Sequence, residues 1–293
     1  MTTSQRTGAI ALIVTVLCFG GAYPGIIAAE TSFTPAPLVL LRSIMVAALL
    51  FLIALLMRIN LRISLRDLLL TALIGQLGIS MYQWLLYEAL QVASAGTSAT
   101  VINMAPVVTL IASSFYLKEQ IPLRRWIGVT IAVSGVVVLG FSGSSTDITG
   151  LPILIIAAIG LGLYSVFLKP LVVKYHPLSI TFHATWPGAI IFAWSGPQLL
   201  TEMETAVAKA WLGAAALAII VSAGGYVAWA KAVQLLEVSK AAISYYLVPP
   251  VAIFYTFILF GEEPLPLEYL GIVIVIVGVA VALSSRGRSE PVS

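Results

Sequence analysis

The sequence predicts an all-α integral membrane protein with ten transmembrane helices, arranged as two inverted five-helix repeats around a central cavity. Of the 293 residues, 60% are hydrophobic and only 9% are charged, and the mean hydropathy is +1.06. A soluble domain is about half apolar and about a quarter charged. The apolar residues fall into ten segments of transmembrane length, and a pattern of prolines, acidic residues and glycines recurs after half the chain.

Each predicted span is a run of about 20 predominantly apolar residues, the length that crosses a bilayer as an α-helix. The loops between spans are short, and none is long enough to form a soluble domain. The first span continues to Ala29 through Gly and Pro, so we expect a retained helix rather than a cleaved leader. The ten spans are residues 7–29, 36–57, 65–87, 95–117, 124–142, 150–169, 178–200, 209–230, 240–260 and 267–285.

Basic residues mark one side of the predicted bundle. With the N-terminus in the cytoplasm, thirteen of the fifteen Lys and Arg residues fall in cytoplasmic segments, while Lys209 lies in an outer loop and Arg42 within a span. Cytoplasmic loops of membrane proteins are enriched in Lys and Arg. The bias therefore predicts ten spans with both termini in the cytoplasm.

Two long stretches, Gly96–Arg125 and Lys240–Leu270, share one pattern. Each is an apolar helix interrupted by proline, followed by an acidic position, a proline turn and a helix whose glycines are seven residues apart. A pattern that recurs at a fixed distance indicates an internal repeat. The matching pairs are Pro106 with Pro250, 144 residues apart, and Gly128 with Gly271, 143 residues apart.

The repeat predicts two units, residues 1–144 and 145–293. Because each unit has five spans, an odd number, the second unit must enter the membrane from the opposite face. Inverted repeats place substrate sites near the bilayer midplane, where the two halves meet. This topology predicts a carrier that opens to either side by exchanging the conformations of its halves.

Several residues of these stretches carry a resemblance to a known family. They lie at the end of span 4 and the start of span 5, with an echo in spans 9 and 10: Glu119, Trp126, Gly128, Ser134 and Gly135, then Glu263, Leu270, Gly271 and Gly278. On these motifs the whole chain resembles the ten-helix EamA-type carriers of the drug/metabolite transporter superfamily. The resemblance implies a small-metabolite carrier of the inner membrane, often an exporter. Within the family, the chain is similar to exporters of aromatic and other amino acids.

Span 3 carries polar residues at helical spacing: Gln76, Ser80, Gln83 and Tyr87. Positions i, i+4, i+7 and i+11 share one face of an α-helix. Polar groups face hydrocarbon only at a cost, so this face should contact a neighbouring helix or a watery cavity. We interpret the four as substrate-binding candidates; the alternative is that they join helices, each hydrogen bond contributing about 0.6 kcal/mol. Tyr226 is the inverted counterpart of Gln83, and we expect the two to face each other across the cavity.

Further substrate-binding candidates lie within other spans. Aromatic residues with one polar atom suit a loose pocket for amphipathic amino acids, although packing is an equal alternative. An intramembrane cation is a functional candidate by default and can receive a carboxylate if it faces inward; the alternative is snorkelling to the outer surface. These candidates are Arg42, Asn103, Tyr164, Tyr226, Trp229 and Tyr245.

Prolines 106, 249 and 250 remove backbone donors from spans 4 and 9 and free carbonyl groups one turn earlier. Broken helices of this kind are tolerated where they line a cavity, so Pro106, Pro249 and Pro250 are candidate gating bends; the alternative is a static kink. Glu119 and Glu263 precede proline turns, and we expect each to cap the start of the following helix.

The chain lacks Asp or Glu in the middle third of any predicted span. A proton-coupled carrier needs a buried acid or histidine, and His183 in span 7 is the remaining candidate for a proton-linked role. A hydrogen-bonded packing role is the favoured alternative for His183. We therefore expect weak or no proton coupling.

Among function classes, these observations favour a transporter. No nucleophile–base motif, phosphate loop or metal-ligand cluster indicates an enzyme, and no filter or ring of charges indicates a channel. We expect export of small metabolites by alternating access, with amino acids including aromatic ones first, and neutral metabolites or toxic small molecules as the alternative. No cofactor, metal or nucleic acid is expected. The expected partners are a small-molecule substrate and the lipid bilayer, with the chain as a monomer or weak homodimer.

Overall fold

A computed structural model of the protein describes residues 3–93, 95–141, 150–261 and 263–284. Within these ranges the chain is almost entirely helical and contains no β-strand. The α-helices are α1 (Thr3–Gly20), α2 (Ala22–Ala29), α3 (Pro35–Leu56), α4 (Leu65–Gly75), α5 (Met81–Leu90), α6 (Ala95–Ile102), α7 (Ala105–Tyr116), α8 (Leu123–Phe141), α9 (Leu151–Lys174), α10 (Pro177–Ile191), α11 (Gly196–Thr205), α12 (Ala208–Ala216), α13 (Tyr226–Leu235), α14 (Val238–Ser244), α15 (Val248–Phe260) and α16 (Pro266–Leu283).

Nine helical stretches of the described chain are long and apolar enough to cross a membrane. The remaining predicted span, the seventh (residues 178–200), corresponds to α10, which has 15 residues and ends at Ile191 rather than at residue 200. At a rise of about 1.5 Å per residue, α10 is about 22 Å long. A 3₁₀ turn, Ala193–Ser195, follows it, and Gly196 and Pro197 then start the separate helix α11.

Large apolar side chains are exposed around the perimeter of the bundle, including Phe115 at 79%, Leu56 at 74% and Leu212 at 72%. Water would make such a surface costly, whereas lipid tails are as apolar as the side chains themselves. The core beneath is tightly packed, with large buried side chains such as Leu154 and Ile180. The helices are therefore apolar on both their buried and their exposed faces, as expected for a bilayer environment.

Two pairs of spans are interrupted at corresponding places. The helix from α4 to α5 contains a π-helical segment, Gln76–Ser80, and the helix from α12 to α13 contains another, Leu217–Gly225. The chain bends between α6 and α7 at residues 103–104, and a 3₁₀ turn, Tyr245–Leu247, separates α14 from α15. In both bends proline lies in the first turn of the following helix, where its missing N–H group is tolerated.

The helices α8 and α16 pack against each other through their glycines. A Cβ atom added to Gly278 would lie 2.3 Å from the backbone nitrogen of Ala132, and one added to Gly128 would lie 2.4 Å from that of Ala282. Small residues of this kind let two helix backbones approach closely in a membrane. The glycines spaced seven residues apart are thus the contact between the fifth and the tenth predicted spans.

The predicted boundary between residues 144 and 145 lies outside the described residues. The predicted ends of span 5 at residue 142 and of span 10 at residue 285 lie outside them as well.

Candidate functional site

A cavity of about 490 Å³ lies between helices from both halves of the chain. Exposed residues Glu263 and Leu265 of the α15–α16 loop border one end, so the cavity opens to the surface there. We call this the open end. The other end is formed by buried aromatic side chains, among them Tyr226. The volume falls within the range of about 300–1,000 Å³ that is typical of small-molecule sites.

Arg42 of α3 lines the cavity and is only 3% exposed. Its Nη1 donates to the hydroxyl of Tyr87, and its Nη2 donates to Ser222 Oγ at 2.7 Å and to the carbonyl of Leu217 at 3.3 Å. These hydrogen-bond partners are all neutral, and Nε has no partner within the described part of the chain. A buried cation is costly unless it is paired, so an anionic group in the cavity would stabilise Arg42.

Polar pairs beside Arg42 join the two halves of the chain. Gln83 of α5 interacts with the hydroxyl of Tyr226 on α13, and Tyr82 interacts with Tyr245. All four side chains line the cavity. The residues predicted to face each other, Gln83 and Tyr226, are therefore in contact at the cavity wall.

The deep end of the cavity is an aromatic floor, formed by Phe19, Tyr164, Tyr226, Trp229 and Tyr245. The ring centroids of Phe19 and Tyr226 are 5.2 Å apart, those of Tyr164 and Tyr226 are 6.3 Å apart, and those of Trp229 and Tyr245 are 6.4 Å apart. Edge-to-face geometry at these distances stabilises aromatic clusters. Tyr164 and Trp229 line a second, much smaller cavity on the far side of the floor and not the main one.

The polar stripe of span 3 divides between two surfaces. Gln83 and Tyr87 line the cavity, whereas Gln76 donates from Nε2 to the carbonyl of Ala184 on α10 at 3.3 Å. Ser80 also lies against α10, since a Cβ atom on Gly188 would meet its Oγ. The cause is the π-helical segment over residues 76–80, because i→i+5 hydrogen bonding widens a turn and rotates the residues that follow.

His183 lies outside the cavity lining, against the loop before α4. Trp186 Nε1 donates to its Nδ1 at 3.1 Å, so the proton is assigned to Nε2, which lies 2.7 Å from the carbonyl oxygen of Leu61. Both ring nitrogens are thus engaged by a neutral imidazole. This geometry favours the packing role over the proton-linked one.

The two helix bends lie beside the aromatic floor. Pro249 lines the main cavity and Pro106 lines the small one, while Pro250 lines neither. Asn103, in the bend before α7, lines the main cavity and donates from Nδ2 to the carbonyl of Ala99 at 2.7 Å. Both bends therefore border a cavity.

Away from the open end, the two halves are joined by a group of residues that we call the closed-end cluster: Glu119, Arg125, Glu237 and Ser239. The carboxylate of Glu119 accepts from the backbone nitrogens of Val238 at 2.8 Å and Ser239 at 3.0 Å. Arg125 donates to Ser239 Oγ at 2.7 Å and to Glu237 Oε2 at 3.0 Å. Glu119 therefore caps α14 of the second half, and not α8, the following helix, as its position in the sequence suggested.

The charge state of Glu237 reflects this cluster. Burial of the carboxyl acts to raise its pKa, but the hydrogen bond and charge of Lys240, together with Arg125, outweigh it and hold the pKa of Glu237 below its ordinary value. Glu237 is consequently ionised at neutral pH and keeps its ion pair with Arg125. At the open end, Glu268 rather than Glu263 caps the following helix, since its carboxylate accepts from the backbone nitrogen of Leu265 at 2.8 Å.

The sequence pattern of the EamA-like transporter family matches two stretches of the chain, residues 6–141 and 148–284. The chain belongs to the EamA-like transporter family. A crystal structure shares the fold of this EamA-like chain over 95% of its residues and 96% of that chain, with a TM-score of 0.78 at 17% identity.

Two relatives extend the comparison. A probable terminal-alkyne amino-acid exporter of Streptantibioticus cattleyicolor is 32% identical over 270 residues, which cover 92% of this chain and 91% of the exporter. An S-adenosylmethionine uptake transporter of Rickettsia prowazekii is 26% identical over 196 residues, 66% of this chain and 65% of that one. The EamA-like chain is therefore a multi-pass membrane transporter of small metabolites.

The lining or supporting residues that reasoning from the sequence missed include Phe19, Tyr82, Ser98 and Ser222. Tyr82 adjoins Gln83 and lines the cavity, but regular α-helical spacing assigned Gln76 and Ser80 to the cavity face and left Tyr82 out. Ser222 is an isolated polar residue in an apolar span, which is a usable signal. Nothing in the local sequence of Phe19 or Ser98 distinguishes them from packing residues.

Proposed function

We propose that this transporter carries amino acids, aromatic ones included, across the inner membrane and that Arg42 binds the substrate carboxylate. The observation that carries the proposal is the position of Arg42, a buried cation that lines the cavity with neutral partners only among the described residues. An arginine presents a fork of N–H donors that matches a carboxylate. Among the described residues, Nε is the donor of Arg42 that still has no hydrogen-bond partner.

The rest of the cavity suits an amphipathic substrate. Leu86, Leu161 and Val248 form an apolar part of the cavity wall. The side chains of Tyr82 and Tyr245 add hydroxyl groups that can form hydrogen bonds. The cargoes named for the two relatives, an amino acid and S-adenosylmethionine, share an α-amino acid group. This shared group supports amino acids over the alternative of neutral metabolites or toxic small molecules.

We further propose that the two halves, residues 1–144 and 145–293, are inverted repeats. Their movements open the cavity alternately to one side of the membrane and to the other. The paired π-helical segments and paired bends support this symmetry. The excess of Lys and Arg assigns the closed-end cluster and both termini to the cytoplasm, with the open end outside. In this scheme the transporter is outward-open and acts as a monomer or weak homodimer.

The scheme assigns a role to Glu263. Glu263 is 144 residues after Glu119, the cap of α14, and it borders the open end of the cavity that Ser98 of α6 also lines. When the outer end closes, Glu263 approaches the start of α6 and the closed-end cluster separates. In this scheme Glu119 caps α14 while the cytoplasmic end is closed, and Glu263 caps α6 while the outer end is closed.

Counterflow in proteoliposomes tests the proposed function. Vesicles loaded with unlabelled phenylalanine are expected to accumulate labelled phenylalanine transiently and saturably, because a carrier exchanges the two across one site. An imposed pH gradient is expected to leave the rate unchanged, since His183 is neutral and outside the cavity. Unsaturable flux would indicate a pore, and strong acceleration by the gradient would overturn the absence of proton coupling.

The closed-end cluster gives a prediction of its own. Replacing Glu119 with alanine removes the cap of α14, worth about 1 kcal/mol, and is expected to raise opening at the cytoplasmic end about fivefold. The reporter is Thr109→Cys, at the small cavity, in a Cys18→Ala background, labelled from the cytoplasmic side by a membrane-impermeant maleimide. Glu204→Ala, which alters an exposed carboxylate of α11, is the matched control. Equal labelling rates in the two variants would contradict the assignment.

A further inference from the structure

Two residues of the cavity lining each contain a buried oxygen atom that has no hydrogen-bond partner in the described part of the chain. Ser98 is 1% exposed and Asn103 is 5% exposed, and both line the cavity. Asn103 Nδ2 is held by the carbonyl of Ala99, which leaves Oδ1 as the free atom of the amide. Neither this Oδ1 nor Ser98 Oγ has a hydrogen-bond partner within the described chain. A buried acceptor without a partner is energetically costly, so a hydrogen-bond donor from a ligand would stabilise the site.

The same segment offers a third acceptor. Pro106 has no N–H group to donate to the carbonyl of Ile102, one turn earlier, and Ile102 also lines the cavity. Ser98, Ile102 and Asn103 thus present oxygen atoms from the last turn of α6 and the bend that follows it. A protonated primary amine carries three donors, which is the number that this segment can accept.

We propose that Ser98 and Asn103, with the Ile102 carbonyl, form the subsite for the protonated α-amino group of the substrate. This inference rests on the proposed function, because it supplies the second half of a zwitterion whose carboxylate binds Arg42. The carboxylates in the described cavity lining, Glu263 and Glu268, lie at the open end. The proposed ammonium subsite is formed by neutral oxygens, so the substrate carboxylate is left to pair with Arg42.

The test compares L-phenylalanine with 3-phenylpropionate, which keeps the ring and the carboxylate but lacks the amine. Affinities are measured by competition in counterflow for wild type, Ser98→Ala, Asn103→Leu and Asn103→Asp. The wild type is expected to prefer phenylalanine at least about tenfold, because a site with buried acceptors rejects a ligand that leaves them unpaired. Ser98→Ala and Asn103→Leu are expected to weaken phenylalanine about tenfold and to leave 3-phenylpropionate unchanged. Asn103→Asp is expected to keep or increase the preference.

Thr256→Val is the matched control. Thr256 also lines the cavity, but its hydroxyl bonds the carbonyls of Ala252 and Ile253 in its own helix, so its loss should not alter the preference. The preference is a ratio within each variant and does not depend on membrane abundance; if Asn103→Leu fails to fold, the ratio for Ser98→Ala decides. An unchanged ratio in Ser98→Ala and Asn103→Leu, or equal weakening of both ligands, overturns the subsite while transport by the wild type upholds the proposed function. Absence of phenylalanine counterflow in the wild type contradicts the proposed function itself.

Discussion

Replacing Arg42 with methionine is expected to lower amino-acid transport at least about 100-fold and to raise the melting temperature of the protein. Removing one partner of a buried, hydrogen-bonded charge pair costs about 2–5 kcal/mol of binding, and 1.4 kcal/mol corresponds to about tenfold. The fold, in contrast, bears the cost of an arginine that is 3% exposed and has neutral partners in the described structure. An apolar residue of similar length removes that cost, so stability and transport should change in opposite directions.

The matched variant for this prediction is Arg42→Lys. It keeps the charge but loses the planar fork that holds both Tyr87 and Ser222, so transport should be intermediate. Transport is measured by counterflow and stability by thermal denaturation of the detergent-purified protein. If Arg42→Met unfolds the protein and Arg42→Lys restores stability without transport, Arg42 joins helices and does not bind substrate.

Substituting Gly278 is expected to separate α8 from α16. A Cβ atom at this position would lie 2.3 Å from the backbone nitrogen of Ala132, so even alanine forces the two helices apart. Overpacking of this kind costs about 1–3 kcal/mol, and leucine should cost more. We expect Gly278→Ala to lower the melting temperature and Gly278→Leu to abolish a monodisperse peak in size-exclusion chromatography.

Gly196→Ala is the control for Gly278→Ala. No heavy atom lies within 4 Å of a Cβ atom added there, and Gly196 has ordinary helical backbone angles. Its melting temperature should match that of the wild type. Equal stability of the Gly278 and Gly196 variants would show that the α8–α16 contact is not as close as described.

Much of the fold could be predicted from apolar segment lengths, because a bilayer requires long apolar helices. The end of α10 at Ile191 could not, since residues 192–200 remain apolar enough to extend a span although the chain turns there. The helix that Glu119 caps could not be predicted from the sequence either. A carboxylate before a proline turn is expected to cap the next helix, but tertiary packing brings α14 closer.

The site was predicted in part for a related reason. Helical spacing identified Gln83, the repeat identified Tyr226 as its counterpart, and both residues follow π-helical segments at corresponding positions. Gln76 and Ser80 share the α-helical face of Gln83 in sequence but not in space, because a π-helical segment cannot be recognised from apolar periodicity. The direction of Arg42, inward or snorkelling, depends on helix rotation, which only the packed structure supplies.

The most direct measurement of the central claim is the affinity of the purified wild-type protein for phenylalanine and for phenylalaninamide. The amide keeps the ring and the amine but replaces the carboxylate, the group that we assign to Arg42. Isothermal titration calorimetry is expected to give an amide affinity at least about tenfold lower, since a charge-assisted bidentate contact is lost. Equal affinities for the two ligands would contradict the assignment of Arg42 as the carboxylate anchor.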